Sequence, residues 1–198
     1  MERPVTQTES PLEILRRVEN ILRAGTVAAV RHGKPARCRV RSGELLTNWV
    51  PWMSSRAGGQ DRRQWWPPAV GEQCLLLSPG GDLLNAVALP GVYSDKAPQG
   101  SDSATACRTD WSATDFMEHD SATGCLTVQC DKGITLRVGN ASIDITPDRI
   151  VLSAGGGTFV IDGDGATGSP DVITGPISLR RHVHGGVDRG GDNTDGPL

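Results

Sequence analysis

The chain has 198 residues, of which 20 are Lys or Arg and 23 are Asp or Glu, so its formal net charge at pH 7 is -3. This length suits one large or two small domains. Proteins that track a phosphate backbone normally carry a basic excess, so the acidic balance argues against nucleic-acid binding. No apolar run approaches the roughly 18 residues of a membrane helix and no signal peptide opens the chain, which predicts a soluble protein made in the cytosol.

The chain's 25 glycines and 13 prolines, with many short alternations of Val, Ile and Leu, predict a β-rich protein with frequent turns. The number of cysteines is odd and no two of them have CxxC spacing, which argues against a disulfide framework and against a zinc site. We interpret them as buried or incidental thiols: Cys38, Cys74, Cys107, Cys125 and Cys130.

Residues 1–25 contain the one convincing helical pattern, at positions 10–24. Ser10 is the expected N-cap, Pro11 fits the first turn, Glu13 completes a capping box, and Gly25 is the expected end. Apolar residues recur at helical spacing opposite a charged side: Leu12, Leu15, Val18, Ile21 and Leu22. Two interpretations remain open, a helix packed on its own domain and a helix that docks a neighbouring protein.

Residues 26–95 have the pattern of a small β-barrel. The segment 37–41 alternates strictly, which places Cys38 and Val40 inward and Arg37, Arg39 and Arg41 on the solvent face. Further strands are expected at 48–53, 71–77 and 83–89. Five or six strands in about 70 residues suit a Greek-key barrel of the oligonucleotide/oligosaccharide-binding (OB) type, and an SH3-like barrel has a similar composition. The arginine row is either a solvated strand face or an anion-binding surface.

Residues 96–120 lack periodicity and are interpreted as a neck or linker. Beyond them, in residues 121–181, short apolar alternations separated by turns recur about every eight residues, which is typical of a β-helix. Five such strands from one chain would leave a narrow apolar face and exposed edges. We therefore expect several identical chains, most simply three, to wind together with strands paired between chains. The repeating positions are Leu126/Val128, Ile134/Leu136/Val138, Ile143/Ile145, Ile150/Leu152 and Phe159/Ile161.

The segment 182–198 begins with two histidines separated by one residue, His182 and His184. In an extended segment these imidazoles project to the same side. One chain offers only two nitrogen ligands, but three chains on a three-fold axis offer six, enough for an octahedral divalent ion such as iron, nickel or zinc. The alternative is an exposed pair in a glycine-rich tail.

Motifs for catalysis are missing from the sequence, which contains no GxSxG, HExxH or phosphate loop. The segment 162–165 resembles half of a calcium loop, but an Asp-Gly turn explains it better because the bidentate Glu does not follow. We expect no enzymatic activity and assign no catalytic residues.

Several segments together resemble the baseplate assembly protein V family, the central spike proteins of contractile-tailed phages. They cover the chain in the expected order from about residue 8 to the C-terminus: Trp49-Val50-Pro51-Trp52, Arg56-Ala57-Gly58, Trp65 to Gln73, Gly80-Gly81-Asp82, Leu89 to Tyr93, His182-Val183-His184 and Gly196-Pro197-Leu198. The resemblance implies an all-β protein with a short helix and an OB-fold barrel, followed by an intertwined trimeric β-helix that ends in a metal-bound tip.

The resemblance also implies a function and partners. The chain is expected to be a homotrimer that binds the baseplate hub protein, to sit at the tip of the tail baseplate in the virion, and to pierce the host outer membrane without becoming integral to it. One iron ion per trimer would be held by His182 and His184 of three chains, and further ions on the three-fold axis are allowed. Larger relatives carry a lysozyme domain for which this chain has no room. The alternative function is an OB-fold module that binds nucleic acid or glycan.

Overall fold

A computed structural model describes residues 10–183 and 185–186. The chain divides into two compact units, with the division between Gln99 and Gly100. This division lies close to the boundary expected near residue 95. None of the helices in the described segments is long and apolar enough to cross a membrane.

In residues 10–99, the described part of the first unit, there are one helix, seven strands and two short 3-10 turns. The helix α1 spans Pro11–Ile21, and the 3-10 turns span Pro79–Gly81 and Leu83–Asn85. The strands are β1 (Leu22–Arg31), β2 (Arg37–Ser42), β3 (Leu45–Leu46), β4 (Ala57–Gly58), β5 (Arg62–Arg63), β6 (Gln73–Leu77) and β7 (Val87–Val92). Five of them form an antiparallel sheet in the order β3-β2-β1-β6-β7, and β4 pairs with β5.

Residues 50–53 bridge two strands that are not neighbours in this sheet, β2 and β7. Val50 and Cys38 exchange two backbone hydrogen bonds of 2.9 Å. On the other side, the Met53 amide donates to the Ala88 carbonyl at 2.8 Å and the Ala88 amide donates to the Pro51 carbonyl at 2.9 Å. The segment therefore links β2 to β7. The strand expected at 48–53 is reduced to these single bridges.

Helix α1 begins as predicted but ends earlier than expected. The Ser10 hydroxyl accepts a hydrogen bond from the Glu13 amide at 3.2 Å, which confirms the N-cap. The prediction that Gly25 ends the helix is wrong, because Leu22 is already extended and starts β1. Gly25 lies inside β1 opposite Cys74. A Cβ there would lie 2.9 Å from the Arg41 carbonyl oxygen, so the glycine permits close strand packing.

The first unit encloses its own hydrophobic core. The alternation in β2 is confirmed, since Cys38 and Val40 are fully buried. The other members of the core come mainly from the three strands that follow in the sheet and from the 50–53 segment: Val27, Val50, Cys74, Leu76, Ala86 and Ala88. The strand expected at 83–89 is corrected, because Leu83–Asn85 is a 3-10 turn and the strand runs from Val87 to Val92. The Asp82 carboxylate caps that turn by accepting from the Leu84 amide.

The described residues of the second unit form ten strands in three sheets. A three-stranded sheet has the order β10-β9-β8, a five-stranded sheet has the order β11-β12-β13-β14-β15, and β16 pairs with β17. Their bounds are β8 (Ala106–Asp110), β9 (Phe116–Asp120), β10 (Cys125–Gln129), β11 (Ile134–Val138), β12 (Ala141–Thr146), β13 (Arg149–Ala154), β14 (Gly157–Asp162), β15 (Gly165–Ser169), β16 (Ile173–Thr174) and β17 (Ile177–Ser178).

The segment 96–120, which we expected to be a neck or linker without periodicity, contains two regular strands. Strands β8 and β9 lie there and pair in antiparallel register from Ala106 opposite Asp120 to Asp110 opposite Phe116. A polar cluster stabilises them, because Arg108 donates to Asp110 at 2.8 Å and to Glu118 at 3.2 Å. The guanidinium of Arg108 also lies 3.7 Å from the centre of the Phe116 ring. These strands are polar on this face, so no apolar alternation marks them.

The apolar alternations at 126–161 are confirmed as strands, and their pairing differs from the expected one. Strands β11 to β15 form a meander in which each strand pairs with the next strand of the same chain. The turns that join them are short. Short turns favour antiparallel pairing between consecutive strands of one chain over pairing between chains. Backbone hydrogen bonds that we expected between chains are thus made within one chain.

Candidate functional site

One side of the β11–β15 sheet is apolar and exposed. Residues directly opposite each other in an antiparallel sheet point to the same side, and so do residues two apart in a strand. The register places Ile143 opposite Leu136 and Leu152, and Ile150 opposite Ile145 and Ile161. We call this set the apolar face: Ile134, Leu136, Val138, Ile143, Ile145, Ile150, Leu152, Phe159 and Ile161. All of them except Ile134 are between 36% and 84% exposed.

The apolar face is concave at the end where β11, β12, β13 and β14 meet. A groove of about 510 Å³ lies there between Leu136, Ile143, Leu152 and Phe159. Gly157 and Ala154 lie opposite each other at its border, where their small size keeps the groove open. Exposed apolar surface of this extent is rare on monomeric soluble proteins and marks an interaction site.

The opposite side of the same sheet is mostly polar, with Val151 and Val160 as its large apolar residues. Asp144 accepts hydrogen bonds there from the hydroxyls of Ser142 at 2.6 Å and Thr135 at 2.7 Å. These hydroxyls, the Ser142 contact first, hold the pKa of the Asp144 carboxyl below its ordinary value, and the positive charge of Arg137 adds to the effect. The sheet is therefore amphipathic, with a hydrated outer side and an apolar side that lacks cover in the single chain.

The three-stranded sheet continues this amphipathic pattern. Its ladder places Cys107 opposite His119 and His119 opposite Leu126, so these three side chains share one side of the sheet. Met117 and Val128 lie on that side as well and are about two-fifths exposed. The sequence pattern singled out Leu126 and Val128 of β10. It did not reveal Met117 and His119 of β9.

The residues before the predicted metal-binding histidines form a compact hairpin around Asp171. The Asp171 carboxylate accepts hydrogen bonds from the Val172 amide at 2.8 Å, the Arg180 amide at 3.2 Å and the Ser178 hydroxyl. The Ser178 hydroxyl is the main cause that lowers the pKa of the Asp171 carboxyl. Asp171 closes the hairpin across β16 and β17, and sequence reasoning missed it because a single Asp after a proline carries no motif.

His182 follows this hairpin directly. Its amide donates to the Ser178 carbonyl at 2.9 Å, and its Nδ1 lies 3.0 Å from the Leu179 carbonyl oxygen. This contact joins the exposed imidazole to the hairpin backbone. The second predicted ligand, His184, lies outside the described residues. Within the described part of this single chain, no group of three or more His, Cys, Asp or Glu side chains could hold a metal ion.

The arginine row on the barrel is only partly solvated. Arg41 is exposed, whereas Arg37 and Arg39 are half-buried. The guanidinium of Arg39 lies 6.0 Å from the centre of the Trp49 ring, and that of Arg31 lies 5.1 Å from it. Two arginine side chains therefore lie over Trp49, which is still 41% exposed.

Trp65 is 60% exposed and lies against two other rings of the barrel unit. Its ring centre lies 5.8 Å from that of Trp52 and 6.2 Å from that of His32. Glu72 supports the adjoining loop, since its carboxylate accepts from the Ala69 amide at 2.8 Å and from the Gly91 amide at 3.1 Å.

Two smaller predictions are also settled by position. The segment at Asp162 is a turn between β14 and β15, in which the Asp162 carboxylate accepts from the Asp164 amide at 3.1 Å. The cysteines are free thiols, buried at Cys38 and Cys74 and exposed at Cys107 and Cys125. Burial raises the pKa of the Cys74 thiol to about 11, so it stays protonated near neutral pH.

Two family models match this chain, one in its N-terminal half and one at its C-terminal end. A family model described as the type VI secretion system/phage-baseplate injector OB domain matches residues 23–93. A second, described as the GpV Apex motif, matches residues 177–197, which include His182 and His184. The first match confirms an OB domain and separates it from the SH3-like alternative.

A relative matches nearly the whole chain. The spike protein of Escherichia phage P2 is 34% identical over 188 residues, which cover 94% of this chain and 85% of the relative. These matches confirm the resemblance found in the sequence, with an OB domain followed by a β-rich spike region. They associate the chain with the tail baseplate, and with a spike protein instead of an enzyme family. The chain therefore belongs to the family of phage baseplate spike proteins.

Proposed function

We propose that this protein is a homotrimeric, membrane-piercing central spike that docks on the baseplate hub of a contractile phage tail. The observation that carries the proposal is the apolar face of β11–β15, which is at least 36% exposed at eight large side chains. Burying such a face is the main favourable term in association, at roughly 25 cal/mol per Å² of apolar surface. Identical copies are the simplest cover, since every copy brings the same face.

Three copies fit this proposal better than two. Three apolar faces that point at a common axis enclose one another and leave the polar side with Asp144 in water. The two histidines of the tip, His182 and His184, favour the same number, because three chains supply the six ligands of an octahedral shell and two chains supply four. Since each sheet already satisfies its internal backbone hydrogen bonds, side-chain packing holds the copies together.

At the tip we assign one iron ion to His182 and His184 of three chains. The described residues fit such a group, because the Nδ1 of His182 lies 3.0 Å from the Leu179 carbonyl oxygen. When Nδ1–H donates to that oxygen, the lone pair is on Nε2, an arrangement common to histidines that bind metals. The ion would crosslink the chain ends, which otherwise fray first. Further ions on the axis remain part of this proposal.

The work of the spike is mechanical. Bending the shaft or extracting one chain would expose the apolar faces of all copies at once, so a trimer resists load better than its separate chains. Sheath contraction supplies the force, and the narrow tip applies it to a small area of the host outer membrane. Release of the tube contents follows, and the spike needs no catalytic group for this step.

The alternative function, an OB module that binds nucleic acid or glycan, would use Arg37, Arg39, Arg41 and the exposed tryptophans. The acidic net charge of the chain speaks against nucleic-acid binding. OB folds also serve many functions, so the fold by itself does not favour nucleic acid. Salt-dependent micromolar binding of an oligonucleotide to the full chain would support the alternative.

The proposal is tested by placing a charge on each side of the sheet. Ile145→Asp puts three unpaired carboxylates against the axis and should abolish trimers in sedimentation velocity. The control Thr167→Asp places the same charge on the polar side, where Thr167 lies opposite Val160, and should remain trimeric. A soluble, fully trimeric Ile145→Asp variant would overturn the proposal. Should that variant fail to fold, Ile145→Ala must still shift the trimer toward monomer on dilution.

A further inference from the structure

Three side chains with soft metal-binding atoms lie on one side of the three-stranded sheet β8–β10. Cys107 of β8 is directly opposite His119 of β9. Met117 precedes His119 by two residues in the same strand, so its side chain points to the same side. We call Cys107, Met117 and His119 the soft triad. It brings a thiol, a thioether and an imidazole to one surface of a single chain.

The contacts on the opposite side of the sheet fix this orientation. Arg108 donates to Asp110 at 2.8 Å and to Glu118 at 3.2 Å, which requires these three side chains to share a side. Because side chains alternate along a strand, Cys107 and His119 point the other way. The polar cluster therefore holds β8 and β9 in the register that keeps the soft triad together.

The spacing of the soft triad suits a single metal ion. The Ser121 amide donates to the Thr105 carbonyl at 3.0 Å, so these residues form a hydrogen-bonded pair. Every second pair of an antiparallel ladder is of this kind, which makes Cys107 and His119 another such pair, with Cα atoms about 5.5 Å apart. Met117 lies diagonally from Cys107 at about 7 to 8 Å, within reach of a long side chain. Rotation of the side chains can therefore bring all three donor atoms to one ion.

The donor groups are also accessible. Cys107 is an exposed free thiol, His119 is exposed, and Met117 is 40% exposed. Among residues 10–183 and 185–186, no group forms a hydrogen bond with the Cys107 thiol or the His119 imidazole. An ion could bind there without breaking a hydrogen bond of the fold.

The kind of donor atom selects a thiophilic ion. Thiolate, thioether and imidazole ligands suit copper(I), whereas carboxylate and carbonyl oxygens suit magnesium, calcium and manganese. The acidic residues of these three strands all lie on the other side of the sheet: Asp110, Glu118 and Asp120. When an ion binds, the Cys107 thiol releases its proton to solvent, and the thiolate neutralises the charge of the ion.

We propose that the soft triad binds one copper(I) ion per chain through Cys107 Sγ, Met117 Sδ and a ring nitrogen of His119. The site is separate from the histidines of the tip and does not depend on how many copies assemble. It gives Cys107 a binding role in place of the incidental one expected from the sequence. The ion links β8 to β9, so it should also stabilise the three-stranded sheet.

The test is a titration of copper(I) into the full-length, reduced protein without oxygen, with bicinchoninate as the coloured competitor. The wild type should take one ion per chain from the competitor. Cys107→Ser and His119→Gln each remove a direct ligand and should weaken binding at least about 100-fold, the upper end for groups that only support a ligand. Met117→Leu keeps the size of the side chain and should weaken binding about tenfold, since a neutral thioether is the weaker ligand.

Two controls separate this site from other copper-binding groups. Cys125→Ser removes an exposed thiol from the other side of the same sheet, where Cys125 lies opposite Asp120. It should bind copper(I) like the wild type. His182→Ala with His184→Ala removes the histidines of the tip and should leave this uptake unchanged.

Circular dichroism and oligomeric mass identify any variant that does not fold. Uptake that Cys107→Ser and His119→Gln lose and Cys125→Ser retains supports the proposal. Equal losses in Cys107→Ser and Cys125→Ser, unchanged affinity in Met117→Leu, or no uptake by the wild type at micromolar copper(I) would each overturn it. Where a variant fails to fold, X-ray absorption of the copper-loaded wild type decides. Two sulfur ligands and one nitrogen ligand support the site, and a shell of sulfur alone contradicts it. None of these outcomes changes the proposed function.

Discussion

The two units of this chain use the same alternating pattern for opposite purposes. In the barrel unit, the inward residues of β2 and β6, such as Val40 and Leu76, are fully buried within one chain. In the spike unit, the equivalent residues of β12 and β13, such as Ile143 and Leu152, remain more than one-third exposed. Alternation therefore indicates only that one side of a strand is apolar. Whether a single chain can bury that side depends on what else the chain packs against it.

The units also differ in charge. Residues 1–99 contain 13 Lys or Arg and 9 Asp or Glu, whereas residues 100–198 contain 7 and 14. The acidic excess of the spike unit keeps its polar surface hydrated, and like charge discourages nonspecific association between assembled spikes. The barrel unit is the more basic part, which suits a docking end better than a shaft.

The largest effect should come from the closed core. Leu76→Ala removes a fully buried side chain and should destabilise the barrel unit by about 2 to 5 kcal/mol. The loss should be the same at every protein concentration, because one chain builds this core. Denaturant unfolding followed by tryptophan fluorescence measures it, since Trp49, Trp52, Trp65 and Trp66 all lie in this unit. The exposed Leu84→Ala is the control and should change stability by less than about 0.5 kcal/mol.

The open face should behave differently under the same kind of truncation. Ile150→Ala with Leu152→Ala removes apolar surface that lies at the subunit contact of the proposed trimer. The unfolding midpoint of the spike unit should then fall, and should fall further on dilution, since assembly and stability are linked. Circular dichroism at several concentrations checks this. A midpoint that does not depend on concentration, in variant and wild type alike, would erase the distinction between the two units.

The two histidines at the end of the spike unit test which part of that unit holds the chains together. His182→Ala with His184→Ala should remove bound metal while the protein stays trimeric, because the apolar face and not the tip carries the assembly. Elemental mass spectrometry on tag-free protein, with sedimentation in parallel, measures both properties. A monomeric double variant would show that the tip holds the chains together.

The smallest effect concerns pH. Hydrogen bonds from Ser142 and Thr135 lower the pKa of the Asp144 carboxyl in the folded chain. A lowered pKa means that the stabilising contribution is complete above the unfolded value near 3.9 and is lost as pH falls through the folded value. Asp144→Asn should therefore reduce the loss of thermal stability between pH 5 and acid conditions of about pH 3. An unchanged acid profile would show that this carboxylate contributes nothing measurable.

Much of the fold could be predicted from the sequence because strong local signals marked it. Ser10 and Pro11 located the start of α1. The alternations at 37–41 and 126–161 located strands that are apolar on one side. The tryptophan and proline motifs around residue 66 and the HxH pair identified the family.

Other features depend on contacts between distant residues and left no local trace. Gly25 looks like a helix end, yet its role is close approach to Arg41 across the sheet. The β8–β9 ladder relies on Arg108 packed on Phe116 and bonded to Glu118, a polar arrangement without apolar periodicity. In α1, Asn20 is buried while Leu15 and Val18 are exposed, whereas periodicity alone would bury the apolar side.

The central claim is that the apolar face is covered by two further copies of the chain. Native mass spectrometry of the full-length, tag-free protein tests it most directly. The account predicts a complex of three times the 21.0 kDa chain mass, with the mass of one iron ion in addition. A monomer at micromolar concentration, or an assembly whose chain number is not a multiple of three, would contradict it.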